Sequence, residues 1–77
     1  MGEPELLSLI DADVMLAARR AARRTDARFV IGWWNDGDER RMMVLPEGHH
    51  VTAEFHFLPL MLVSPTGRTE PLASLTA

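Results

Sequence analysis

Seventy-seven residues with eight basic and eleven acidic side chains, 47% hydrophobic composition and no cysteine point to one small domain without a disulfide framework. A chain of this length buries roughly 60% of its unfolded surface, so its stability margin is thin, and self-association is one way to add core. No apolar run reaches the about 18 residues of a membrane span, and the leading Met1-Gly2-Glu3-Pro4-Glu5 is acidic where a secretory signal is basic, so a soluble, cytoplasmic protein is expected.

The net charge of −3 conceals a strong segregation: residues 1–18 carry −4, residues 19–28 carry +4 and residues 29–77 carry −3. Every basic residue is Arg.

Between Pro4 and Arg24 the apolar residues recur every three to four positions, the signature of an amphipathic helix. Leu6, Leu7, Ile10, Val14, Ala17, Ala18 and Ala21 fall on one face about 120° wide. Leu9 and Leu16 form a second, smaller apolar patch off that face. Glu3, Glu5 and Asp11 suit the positive end of the helix dipole, and Arg19, Arg20, Arg23 and Arg24 the negative end. Ser8 followed by Asp11 resembles a capping box and also allows a start at Leu9 after a bend.

From Phe29 to Phe57 the period changes to alternation. Phe29 to Trp34 and Arg40 or Arg41 to Leu45 read as two strands. Asp36-Gly37 between them is the preferred pair for a type I′ turn, which sets Trp33 opposite Arg40, Ile31 opposite Met42 and Phe29 opposite Val44. Val51 to Phe57 reads as the third strand, beside the second, with Val44 facing Val51. In that register Phe29, Ile31, Trp33, Met42, Val44, Val51, Ala53, Phe55 and Phe57 share the face under the helix. Val30, Gly32, Trp34, Glu39, Arg41, Met43, His50, Thr52, Glu54 and His56 share the outer face, with Arg41 opposite Glu54 and Glu39 opposite His56. Pro59 cannot donate to a ladder and implies an edge, a bulge or a break. Leu60 to Val63, apolar on both faces, reads as a fourth strand. Thr69 to Ala77 reads as a loose tail or one helical turn begun by Pro71, with Leu72 and Leu75 as contacts. The fold class expected is α+β, one N-terminal helix over residues 4–24 on an antiparallel sheet of three to four strands over 29–64 (α-β-β-β-β), then a tail over 65–77, all one domain.

Motifs of chemistry are weak. His49, His50, Glu54 and His56 lie near one another in the strand reading, but they lack an established zinc spacing. Asn35-Asp36-Gly37-Asp38-Glu39 resembles a fragment of a calcium loop, yet it joins two strands and lacks the twelve residues such a loop needs. No Ser has a His partner in its sequence context, and no glycine pattern matches a phosphate loop. No catalytic residue, metal ligand or cofactor is therefore assigned, and the chain is expected not to be an enzyme.

Two features point to binding. Trp34 should leave the sheet on the face away from the helix, ringed by Glu39, Arg41 and Glu54, and an aromatic anchor inside a polar ring is the pattern of an interface hot spot. Arg19, Arg20, Arg23 and Arg24, with Arg28 just beyond, form a guanidinium patch suited to carboxylates or phosphates. These eight residues (Trp34, Glu39, Arg41, Glu54 and Arg19, Arg20, Arg23, Arg24) are the candidate partner-binding set. In size, acidity and lack of motifs the chain resembles the small inhibitors carried by phages and mobile elements, anti-CRISPR proteins among them. That resemblance implies a non-enzymatic module that blocks a larger, nucleic-acid-binding protein complex. Alternatives are a dimeric nucleic-acid-binding or regulatory subunit using Arg19 to Arg28, and a small metal-dependent enzyme using the histidines. A homodimer is expected because Leu9, Leu16, Trp34 and Leu60 to Val63 offer more apolar surface than one helix hides.

Overall fold

The computed structural model describes residues 7–49 and 56–72. Helix α1 spans Ala12–Thr25. Residues 7–9 are also helical, but a bend at Ile10 separates them from α1, so the helix expected over 4–24 is not one continuous rod. Asp11 occupies the N-cap position in extended backbone (φ −60°, ψ 139°) and its carbonyl accepts the Met15 N–H at 3.0 Å. The bend has a packing reason: it turns Ile10 into the core at 8% exposure. At the other end Asp26 adopts the left-handed conformation (φ 53°) and donates its N–H to the Ala22 carbonyl, a role that Asp fills better than most non-Gly residues. Thr25 Oγ1 donates to the Ala21 carbonyl at 2.7 Å. Along α1 the sheet-facing stripe is Val14, Met15, Ala18, Ala21 and Ala22, with Ala18 and Ala22 fully buried. Ala17, expected on that stripe, is exposed.

Four strands follow: β1 (Phe29–Asp36), β2 (Glu39–Pro46), β3 (Phe57–Val63) and β4 (Thr69–Pro71). They form one antiparallel sheet in the order β2-β1-β3-β4. The fold is thus α+β, with α1 on a four-stranded antiparallel sheet. The hairpin loop is Gly37-Asp38 rather than Asp36-Gly37, because Asp36 pairs with Glu39. Its first residue, Gly37, has φ 62° and Asp38 does not have a positive φ, which meets the type II′ requirement for Gly at the first loop position rather than the type I′ one. Moving the loop by one residue moves every pair by two: Trp33 faces Met42 and Ile31 faces Val44. A two-residue displacement preserves the side-chain alternation, so Met42 still looks toward α1 and Trp34 away from it.

The third strand corrects the expected topology. β3 pairs with β1, not with β2, so His56 does not lie opposite Glu39. Val51 to Phe55 lie outside the described residues, and with them the Val44–Val51 and Arg41–Glu54 pairings. Leu60 to Val63 is the second half of β3, not a separate strand. Between Ile31 and Gly32 the register of β3 jumps from Met61 to Pro59, leaving Leu60 as an unpaired bulge residue. One inserted residue inverts all side chains beyond it. Leu60, Met61 and Val63 therefore pack on the helix side with Ile10, Ala18 and Ile31. Phe57, expected on that side, packs on the opposite face with Val30 and Leu62.

That opposite face is a second apolar layer, not the open polar surface expected. Val30 is fully buried and Phe57 is 2% exposed, flanked by Trp34, Met43, Leu45 and Leu72. The Phe57 ring lies across Gly32, where a side chain would meet it. Residues 69–71 form β4 rather than a helical turn, pairing with Met61 to Val63, and the Leu72 N–H donates to the Leu60 carbonyl at 2.8 Å. Leu75 lies outside the described residues.

Arg28, just ahead of β1, and Glu47, just after β2, close the open end of the hairpin. The Glu47 N–H donates to the Arg28 carbonyl at 2.9 Å, and Arg28 Nη2 lies 2.8 Å from Glu47 Oε1. Both side chains are well exposed, at 53% and 37%, and exposed pairs contribute about 0–1 kcal/mol. Glu47→Gln is expected to shift the urea unfolding free energy by less than about 1 kcal/mol, since the backbone bond survives. A larger loss would show the side-chain pair to be holding the hairpin shut.

Candidate protein-binding surface

The hairpin end of the sheet, on the face away from α1, carries the first cluster. Trp34 sits near the end of β1, opposite Arg41 on β2 and Phe57 on β3. Its ring stacks on His56 with centroids 5.4 Å apart and planes 27° apart. The Asn35 N–H donates to the His56 carbonyl at 2.6 Å, which holds the two residues at one level. Trp34 is half-buried, and the layer beneath it is the closed cluster of Val30, Phe57 and Leu62. Asn35, Asp36, Asp38, Glu39, Arg40 and Arg41 are exposed around the tip. Arg40 reaches the other face, where its guanidinium carbon lies 5.0 Å from the centroid of the Trp33 ring, a cation–π contact worth about 0.5–1 kcal/mol at an exposed site. The geometry gathers Trp34, Glu39 and Arg41 as the sequence implies; Glu54 lies outside the described residues.

The second cluster is on α1. Arg19, Arg20, Arg23 and Arg24 are all exposed. Leu16, 48% exposed, lines a shallow cleft of about 210 Å³ with Arg19, Arg20 and Arg23. A further cleft of about 320 Å³ is lined by Arg28, Leu62, Ser64, Thr66, Arg68 and Glu70. Within it Ser64 Oγ accepts the Arg68 N–H at 3.2 Å and lies 2.8 Å from Thr66 Oγ1, so its hydroxyls serve the turn.

Among the described residues no group of three or more His, Asp or Glu is placed to hold a metal ion. His49 and His56 are exposed, while His50 and Glu54 lie outside the described residues. The Asn35 to Glu39 segment forms the hairpin turn. No polar or charged residue among those described is buried, and no described helix is long and apolar enough to cross a membrane. What this surface offers chemically is exposed charge, hydrogen-bonding groups and aromatic faces.

Sequence reasoning placed His56 on the Trp34 face but missed their contact. The missing piece was strand order: with β3 beside β1 rather than β2, His56 arrives next to Trp34. No protein-family model matches the chain, and neither a curated protein nor a solved structure matches it.

Proposed function

We propose that this chain is a small, non-enzymatic protein-binding module that docks through the hairpin end of its sheet. The observation that carries the reading is the half-exposed Trp34–His56 stack seated on a closed apolar layer. An aromatic already fixed by the core loses little rotamer freedom on binding, and such anchors inside a polar rim dominate interface energies. The rim here is Asp36, Asp38, Glu39 and Arg41, net acidic. It suits a basic surface on a larger protein, of the kind that binds nucleic acid, and charge complementarity of this sort sets encounter rate and orientation. An inhibitor that occupies such a surface is the role this arrangement fits best.

The test is affinity capture from the native host with the tagged chain, read by mass spectrometry against a Glu39→Ala/Arg41→Ala double variant. Both side chains are exposed, so folding is expected to be unchanged. A partner retained by the parent chain and depleted at least about tenfold by the variant, equivalent to about 1.4 kcal/mol, supports the reading. An identical captured set removes the hairpin end as the contact.

A further inference from the structure

We infer that α1 also pairs antiparallel with α1 of a second copy, about a two-fold axis beside Leu16. This contact is separate from the hairpin end and does not depend on it. At 100° per residue, Ala12, Asp13, Arg19, Arg20 and Arg23 lie within about 60° of Leu16 on the solvent side of the helix. Leu16 is nearly half exposed at the centre of this stripe, whereas Val14, Ala18 and Ala22 face the sheet. The stripe has an acidic beginning and a basic end. Asp13 and Arg20 are seven residues apart and lie on the same side of it, so an antiparallel copy sets Asp13 against Arg20 of the partner subunit, and the dyad repeats the pair. The other side sets Ala12, which is small, against Arg19 of the partner subunit. The cleft beside Leu16, about 210 Å³ and bordered by Arg19, Arg20 and Arg23, admits Leu16 of the partner subunit. A parallel arrangement would instead stack guanidinium on guanidinium and align the two helix dipoles unfavourably. Asp13 and Arg20 are both exposed, and among the described residues no ion pair engages either.

α1 is about 21 Å long at 1.5 Å per residue. One helix pair falls below the about 1,200 Å² of a stable interface, so the dimer is weak and dependent on concentration. The experiment is sedimentation equilibrium of the full chain from the low micromolar to the near-millimolar range at low salt. The parent chain is expected to dimerise across this range, and the association to weaken as salt screens the charge pairs. Leu16→Asp should be monomeric throughout with an unchanged circular dichroism spectrum. Asp13→Arg and Arg20→Asp should each weaken association at least about tenfold, and the two combined should restore it to within about threefold of the parent. A monomeric parent chain, a Leu16→Asp dimer of parental affinity, or a combined variant no better than the single ones each overturns the inference.

Discussion

Replacing Gly32 with alanine is expected to lower the melting temperature by about 12–24 °C, the equivalent of about 3 kcal/mol for a domain of this size. A Cβ built on Gly32 meets the Leu58 carbonyl oxygen, and lies 2.6 Å from Phe57 Cζ and 2.9 Å from Cε2. The Phe57 ring cannot simply swing aside, because it is 2% exposed and packed with Val30 and Leu62. The oxygen belongs to the backbone of β3 next to its bulge, so relief requires the two strands to separate. Gly37→Ala is the informative comparison. Nothing lies within 4 Å of its Cβ position, but its φ is 62°. The penalty there is the conformational one alone, about 1–2 kcal/mol. Thermal melts of the two variants followed by circular dichroism decide the point. A Gly32→Ala loss no larger than that of Gly37→Ala would mean that the Phe57 layer yields readily.

Deleting Leu60 is expected to cost about 2–5 kcal/mol, the range for losing a buried Leu side chain, while unfolding stays cooperative. Leu60 is the unpaired extra residue of β3, and without it Phe57 to Pro59 and Met61 to Val63 run opposite Trp34 to Gly32 and Ile31 to Phe29 as one regular ladder. Strict alternation then keeps Met61 and Val63 toward α1 and Phe57 and Leu62 on the other face. What is lost is the Leu60 side chain, 4% exposed in the helix-side core, and the carbonyl that accepts the Leu72 N–H. Leu60→Ala, which keeps the bulge and removes the side chain, is expected to cost a similar amount, and Leu60→Met less than about 1.5 kcal/mol. A deletion that loses its sigmoidal melt where Leu60→Ala keeps one would show that the bulge itself, not the buried side chain, holds the two faces.

The helix and the hairpin were legible because their periods differ and each runs long enough to count. The alternation gives Met42 and Trp34 their correct faces even with the turn set one residue early. The error was harmless to the faces because pairs shift in steps of two when the loop moves by one. Asp-Gly is the stronger statistical signal, but Gly-Asp satisfies the alternative turn, and sequence alone does not rank them here. Pro59 announced an irregularity, and the doubly apolar Leu60 to Val63 announced a strand buried on both sides. What periodicity does not reveal is a single inserted residue, which reverses the alternation at Phe57 without leaving a polar residue out of place. The adjacency of β3 to β1 was hidden for another reason. Neighbours in sequence usually pair in space, and by that default the third strand belongs beside the second. For the candidate surface, Trp34 with its charged neighbours could be read from the alternation alone. Its stacking partner depended on the strand order and could not.

β2 has one strand beside it among the described residues and stands at a margin of the sheet. Such margins are templates for runaway polymerisation, since their amide and carbonyl groups accept any extended chain that comes alongside. In this strand the half nearest the hairpin tip is Glu39-Arg40-Arg41, all exposed. An arriving strand would have to strip water from three ions to continue the ladder there, and the ionic half of β2 thereby discourages fibril growth from a domain whose sheet is apolar on both sides.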